Sequence, residues 1–74
     1  MTRLRDAERL LKAGRYAEVL RIARDPALAD HRRAAEARAA ARRALAAHAA
    51  EAARDGRLEE AAASFAALRD DGPG

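Results

Sequence analysis

The chain has 74 residues, 15 Lys and Arg against 12 Asp and Glu, and no cysteine; 24 of its 37 hydrophobic residues are alanine, which leaves 13 larger apolar side chains to build a core. That length supports one small domain over residues 1–74, because a chain of about 60–75 residues buries only some 60% of its unfolded surface, and without cysteine neither a disulfide staple nor a thiolate metal site is available to it. The longest uncharged stretch, Ala61 to Leu68, falls far short of the roughly 18–20 apolar residues of a membrane span, and the start at Arg3 and Arg5 runs straight into Asp6 and Glu8 rather than an apolar signal segment, so no membrane partner and a cytoplasmic location are expected.

Thr2, Val19 and Ile22 are the only β-branched residues, while Ala, Leu, Arg and Glu dominate, so the fold class is all-α. Punctuation at Gly14, at Asp25-Pro26, at Asp55-Gly56 and at Gly72-Pro73-Gly74 divides the chain into four helices, expected at about 3–13, 16–24, 27–54 and 57–69. In the first, Leu4, Ala7, Leu10 and Leu11 form one stripe, and Gly14 suits the left-handed position that ends a helix. The second carries Tyr16, Val19, Leu20 and Ala23 on one face, with Glu18 in its first turn and Arg24 in its last. The two are expected to form a short helical hairpin.

Asp25 before Pro26 is a helix-start signal, since the carboxylate caps free amides and proline fits the first helical position. A helix from Ala27 to Arg54 would run 28 residues, about 42 Å at 1.5 Å per residue, and a break near Asp30-His31 with Asp30 as a second cap is the alternative. On a helical wheel Arg32, Glu36, Arg38, Arg42, Arg43 and Arg54 share a broad arc, with Ala34, Ala37, Ala41, Ala44, Leu45, His48 and Ala52 on the opposite stripe. Small side chains let helix axes approach, but each alanine buries little apolar area. The fourth helix is expected to turn Leu58, Ala61, Ala62, Phe65 and Leu68 inward and to fold back on the end of the third. Residues 70–74, with turn residues and no apolar content, are expected to fray.

The two glycine turns echo one another: Gly14-Arg15-Tyr16-Ala17-Glu18-Val19-Leu20 aligns with Gly56-Arg57-Leu58-Glu59-Glu60-Ala61-Ala62 at an offset of 42 residues. The pattern resembles the tetratricopeptide repeat, whose helix-turn-helix units close the first helix with glycine and follow it with an aromatic or leucine, a small residue, a large apolar residue and often a proline. Gly56, Leu58, Ala61, Phe65, Leu68 and Pro73 follow that order, and Gly14, Tyr16, Ala23 and Pro26 follow it less fully. The spacing of 42 departs from the 34 of a regular array, and Arg3 and Leu45 stand nearest to where the family carries a large aromatic. The resemblance implies four antiparallel helices arranged as two hairpins around a long central helix, and a scaffold that binds protein without catalysis. Stable arrays usually need about three units, which suggests association.

Chemistry is sparse. The only hydroxyls are Thr2, Tyr16 and Ser64 and the only histidines His31 and His48, so a nucleophile, base and acid set would rest on Ser64 and one histidine, with no glycine-rich elbow around either. The histidines lie 17 residues apart, outside any metal-ligand spacing. Glu59-Glu60 and Asp70-Asp71 are sequence neighbours and point to different sides of a helix, which suits solvation more than shared acid–base work. No phosphate loop is present, and no catalytic residue, metal or cofactor is expected. His48, beside Leu45, is expected to be partly buried, with a proton-sensing role at a dimer seam as the alternative.

Two surfaces remain. One is the alanine stripe of the third helix, Ala34, Ala37, Ala41, Ala44, Leu45 and His48, with Tyr16, Leu20 and Phe65 where the core leaves them free. It is expected to carry self-association into a homo-oligomer, because so few large apolar residues stabilise a monomer poorly. The other is the arginine face, Arg32, Arg38, Arg42, Arg43 and Arg54, which suits phosphates of a nucleic acid. Against it stand the net charge of only +3, the absence of interleaved aromatics, and 14 arginines to one lysine, a ratio that GC-rich coding alone produces. By segment the charge is +3 over residues 1–25, +3 over 26–54 and −3 over 55–74, so a basic front and an acidic tail can attract each other between chains as readily as within one.

Overall fold

In a computed structural model, which describes residues 2–28 and 30–72, every regular element is helical: α1 spans Thr2–Lys12, α2 Tyr16–Ala23, a 3₁₀ turn Pro26–Leu28, α3 Arg32–Arg54 and α4 Leu58–Asp71. The all-α class and the long central helix thus follow the sequence, with boundaries within a few residues of those expected at three of the four helices.

Glycine stops α1 and α3 in the same way. Gly14 and Gly56 sit at φ 79° and 80°, the left-handed region that costs an L side chain energy and glycine none. After Gly14 the Arg15 amide donates to Leu10 O at 2.9 Å, and after Gly56 the Arg57 amide donates to Ala52 O at 2.8 Å, each closing the six-residue loop that satisfies a terminal carbonyl. The side chains repeat as well: Arg15 pairs with Glu18 at 2.9 Å, and Arg57 with Glu60 at 2.7 Å. The offset of 42 residues therefore holds in backbone and in ion pair alike.

The long helix does not begin at Ala27. Asp25 Oδ1 accepts from the Ala27 amide at 2.9 Å and caps only the short 3₁₀ turn, which buried Leu28 pins to the interior. The chain breaks at Asp30-His31, and the cap is His31 rather than Asp30: its Nδ1 accepts from the Arg33 amide at 3.3 Å. What remains, 23 residues, is about 35 Å long.

Val19 and Leu20 are the largest fully buried side chains, and they meet Ala37, Ala41 and Leu45 of α3, with Leu10, Leu11, Tyr16, Ala67 and Leu68 packed around them. Three helices therefore share one centre: α2 and α4 both lie against α3 and also touch each other. The fourth helix folds back along α3 as expected but is not confined to its end. The end of α4 reaches Arg38 and Arg42 in the first half of α3.

α4 also presents a different face from the one expected. Ala61, Ser64 and Asp71 are buried and Leu68 is half-buried, a stripe at i, i+3, i+7 and i+10, while Ala62 is exposed and Leu58 and Phe65 keep 69% and 54% of their surface. Nor is the tail frayed through its whole expected length: the helix continues through Asp71, and Gly72 at φ 83° donates to Arg69 O at 3.0 Å. Pro73 and Gly74 lie outside the described residues.

Candidate interaction site

The alanine stripe proves to be interior. Ala34, Ala37, Ala41 and Leu45 keep 2%, 4%, 0% and 7% of their surface, because α2 and α4 both close over it. Ala44 is half-buried, and His48 is exposed rather than partly buried. The stripe expected as an oligomer surface is therefore the seam of the chain's own fold.

The arginine face is divided. Asp71, whose side chain is fully enclosed, accepts from Arg38 Nε at 3.0 Å and from Arg42 Nη1 through its Oδ2. The same two arginines reach the backbone, Arg42 to Gly72 O at 3.0 Å and Arg38 to Asp71 O at 3.4 Å. Arg24, just past the end of α2, approaches Asp71 Oδ1 at 3.9 Å, and that oxygen has no hydrogen-bond partner among the described residues. Burial pushes the carboxyl's pKa up, but the hydrogen bonds and charges of Arg38 and Arg42 outweigh it and hold the group below the usual carboxylate value. The acidic tail and the basic front thus attract each other within one chain. Arg38 and Arg42 bind the end of α4, while Arg32, Arg43 and Arg54 stay exposed along one line of α3.

This clamp was hidden in the sequence because its members lie 29 to 33 residues apart and involve a tail expected to fray. Other charges tie α1 to the rest of the fold or brace the second glycine turn. Glu8 of α1 takes a bidentate grip from Arg33 of α3, with contacts of 2.8 and 2.9 Å, and Arg3 holds Asp25 at 3.1 Å. Arg57 lies between Asp55 and Glu60, whose hydrogen bonds raise its guanidinium above its ordinary value.

Between α2, α3 and α4 lies an open cleft of about 400 Å³ that brings together Tyr16, Glu18, Arg21, His48 and Ser64. Its mixed, open lining offers a histidine and a hydroxyl, with no enclosed carboxylate beside them. Among the described residues no three His, Cys, Asp or Glu side chains gather as a metal site would require, and no helix is long and apolar enough to cross a membrane.

The unpartnered apolar surface is elsewhere, on the outer row of α4: Leu58, Ala62 and Phe65, at i, i+4 and i+7. Sequence reasoning turned Leu58 toward the core, and Phe65 as well, while keeping Phe65 for the interaction surface where the core left it free; the structure leaves both exposed. Comparison with known proteins gives no match: no family, no curated protein and no solved structure aligns with the chain.

Proposed function

We propose that this chain is a non-catalytic protein-association module that binds other copies of itself, built as two antiparallel helical pairs that resemble degenerate tetratricopeptide units. The observation that carries the reading is the exposure of Leu58 and Phe65 at 69% and 54% in a chain with only 13 large apolar residues. A sequence so short of apolar volume gains most by burying such residues, and a row of them left on one helix face is what a protein partner covers. The repeated glycine turn and its Arg-Glu pair support the two-unit likeness.

The surface differs from the one the sequence suggested, since the stripe of Ala34, Ala37, Ala41 and Leu45 is consumed inside the fold. The nucleic-acid reading also loses weight, because Arg38 and Arg42 are engaged by Asp71 and only Arg32, Arg43 and Arg54 of that set stay exposed. Light scattering coupled to size exclusion tests the proposal, on protein freed of nucleic acid at low and moderate salt. We expect a mass of two chains or more at tens of micromolar, little changed by salt. A mass of one chain at every concentration, with DNA or RNA binding that falls steeply as salt rises, would instead select the arginine reading.

A further inference from the structure

Resting on the association reading, we infer that the occupant of the exposed α4 row is a second copy of this chain, seated by a twofold rotation so that the α3–α4 pairs of both copies form a four-helix bundle. The rows around each helix place the surface. On α3 the side chains that meet the neighbours follow one another around the axis: Arg33 reaches Glu8 of α1, His48 lines the cleft with α2, and Arg38 and Arg42 reach the end of α4. The next row, at about 100° per residue, is Ala46, Ala50 and Ala53, all exposed. On α4, Ala63 and Ala67 border the cleft with α2, and Leu58, Ala62 and Phe65 lie across the buried row from them. Both exposed rows therefore fall on the side of the α3–α4 pair that faces away from α2.

That surface is self-complementary in shape. It carries two large knobs, Leu58 and Phe65, beside Ala46, Ala50 and Ala53, with the exposed Arg43 and Arg54 along the outer edge of that strip, and a twofold rotation sets each copy's Phe65 against the other copy's alanines. Unrelated partners need not supply both features; a second copy supplies both by identity. The twofold axis then runs along the helices, and each copy's α4 lies against the other copy's α3.

Area points the same way. The chain exposes 5201 Å², against about 4400 Å² for a typical folded monomer of its mass. The excess is about 800 Å², the share each partner contributes to a standard interface. The shape agrees: a radius of gyration of 12.4 Å against about 11.3 Å for this length, with extents of 40 × 23 × 15 Å, so the molecule is thin and broad.

The test uses the full chain as wild type and in three variants, with mass followed by light scattering and helicity by circular dichroism. Phe65→Glu, at a half-exposed position, should keep its helicity while the dimer dissociation constant rises by about 30-fold or more. Because the chain has no cysteine, Ala62→Cys reports contacts between copies alone: it should give a covalent dimer with a short bis-maleimide, whereas Ala17→Cys on α2 should not. A wild-type dimer unmoved by Phe65→Glu and cross-linked through Ala17→Cys in place of Ala62→Cys would overturn this interface and leave the association reading standing. A wild-type monomer at every concentration would overturn both.

Discussion

Asp71 shows how one side chain changes the reading of two others. A carboxylate enclosed by the fold is costly unless it is paired, and here Arg38 and Arg42 pair it while their third-exposed guanidiniums keep part of their hydration. Replacing Asp71 with Asn leaves both arginines without their counter-charge and loosens the end of α4. We expect a loss of about 1–3 kcal/mol at pH 7, below the figure for a fully buried pair because the arginines are partly solvated. The pH dependence has a definite sign. The folded-state carboxyl titrates below its ordinary value, so its contribution is complete above the unfolded carboxylate range near pH 4 and is lost as pH falls through the lower folded value. Urea unfolding at several pH values should show wild type and Asp71→Asn far apart at pH 7 and converging below about pH 4. A gap that stays constant down to pH 2 would remove Asp71 from the stabilising contacts.

At the scale of the helix, the elements were legible and their orientations were not. Gly14 and Gly56 end α1 and α3 because each stop is local, set by one backbone angle and one hydrogen-bonded loop. The faces of α2 were legible too, since Val19 and Leu20 contrast sharply with Glu18 and Arg21 on either side. On α4 the contrast is weak: five of its fourteen residues are alanine, so periodicity marks its faces poorly, and the observed turn of about 60–80° from the expected face gives up burial of Leu58 and Phe65. The choice then passes to contacts that sequence periodicity does not hold, chiefly Asp71 with Arg38 and Arg42, and the turn that satisfies them carries Phe65 and Leu58 outward. On α3 the stripe held for Ala34, Ala37, Ala41 and Leu45 and not for His48, but nothing local said whether it was covered by the chain or by another copy. Ala41→Glu separates those cases. Ala41 is fully buried between helices, and an unpaired carboxylate there costs more than a domain of this size can offset. The expected result is loss of the cooperative thermal transition in circular dichroism. A folded monomer would show instead that Ala41 faces a partner.

For the molecule as a whole, the helices packed around Val19 and Leu20 form a thin slab that leaves Leu58 and Phe65 exposed on one side, and the proposed association would couple to stability there. If copies bind through α3 and α4, folding draws on interface burial as well as on the core, and mass action makes the melting temperature depend on concentration. For a dimer that unfolds to two free chains, each tenfold rise in concentration adds about 1.4 kcal/mol per dimer, or about 3–5 °C in Tm for two chains of this length. Wild type melted at several concentrations across two decades should follow that slope. Phe65→Glu should melt at a lower temperature that does not change with concentration, because only the core of one chain remains to hold it. Salt separates this behaviour from charge-driven assembly: an interface of Leu58, Ala62, Phe65 and the α3 alanines should keep its slope from 50 to 300 mM salt, whereas screening at that range weakens exposed ion pairs. A wild-type Tm that is flat with concentration would mean that the slab is stable without its second half, and that the breadth of the α3–α4 side has another cause.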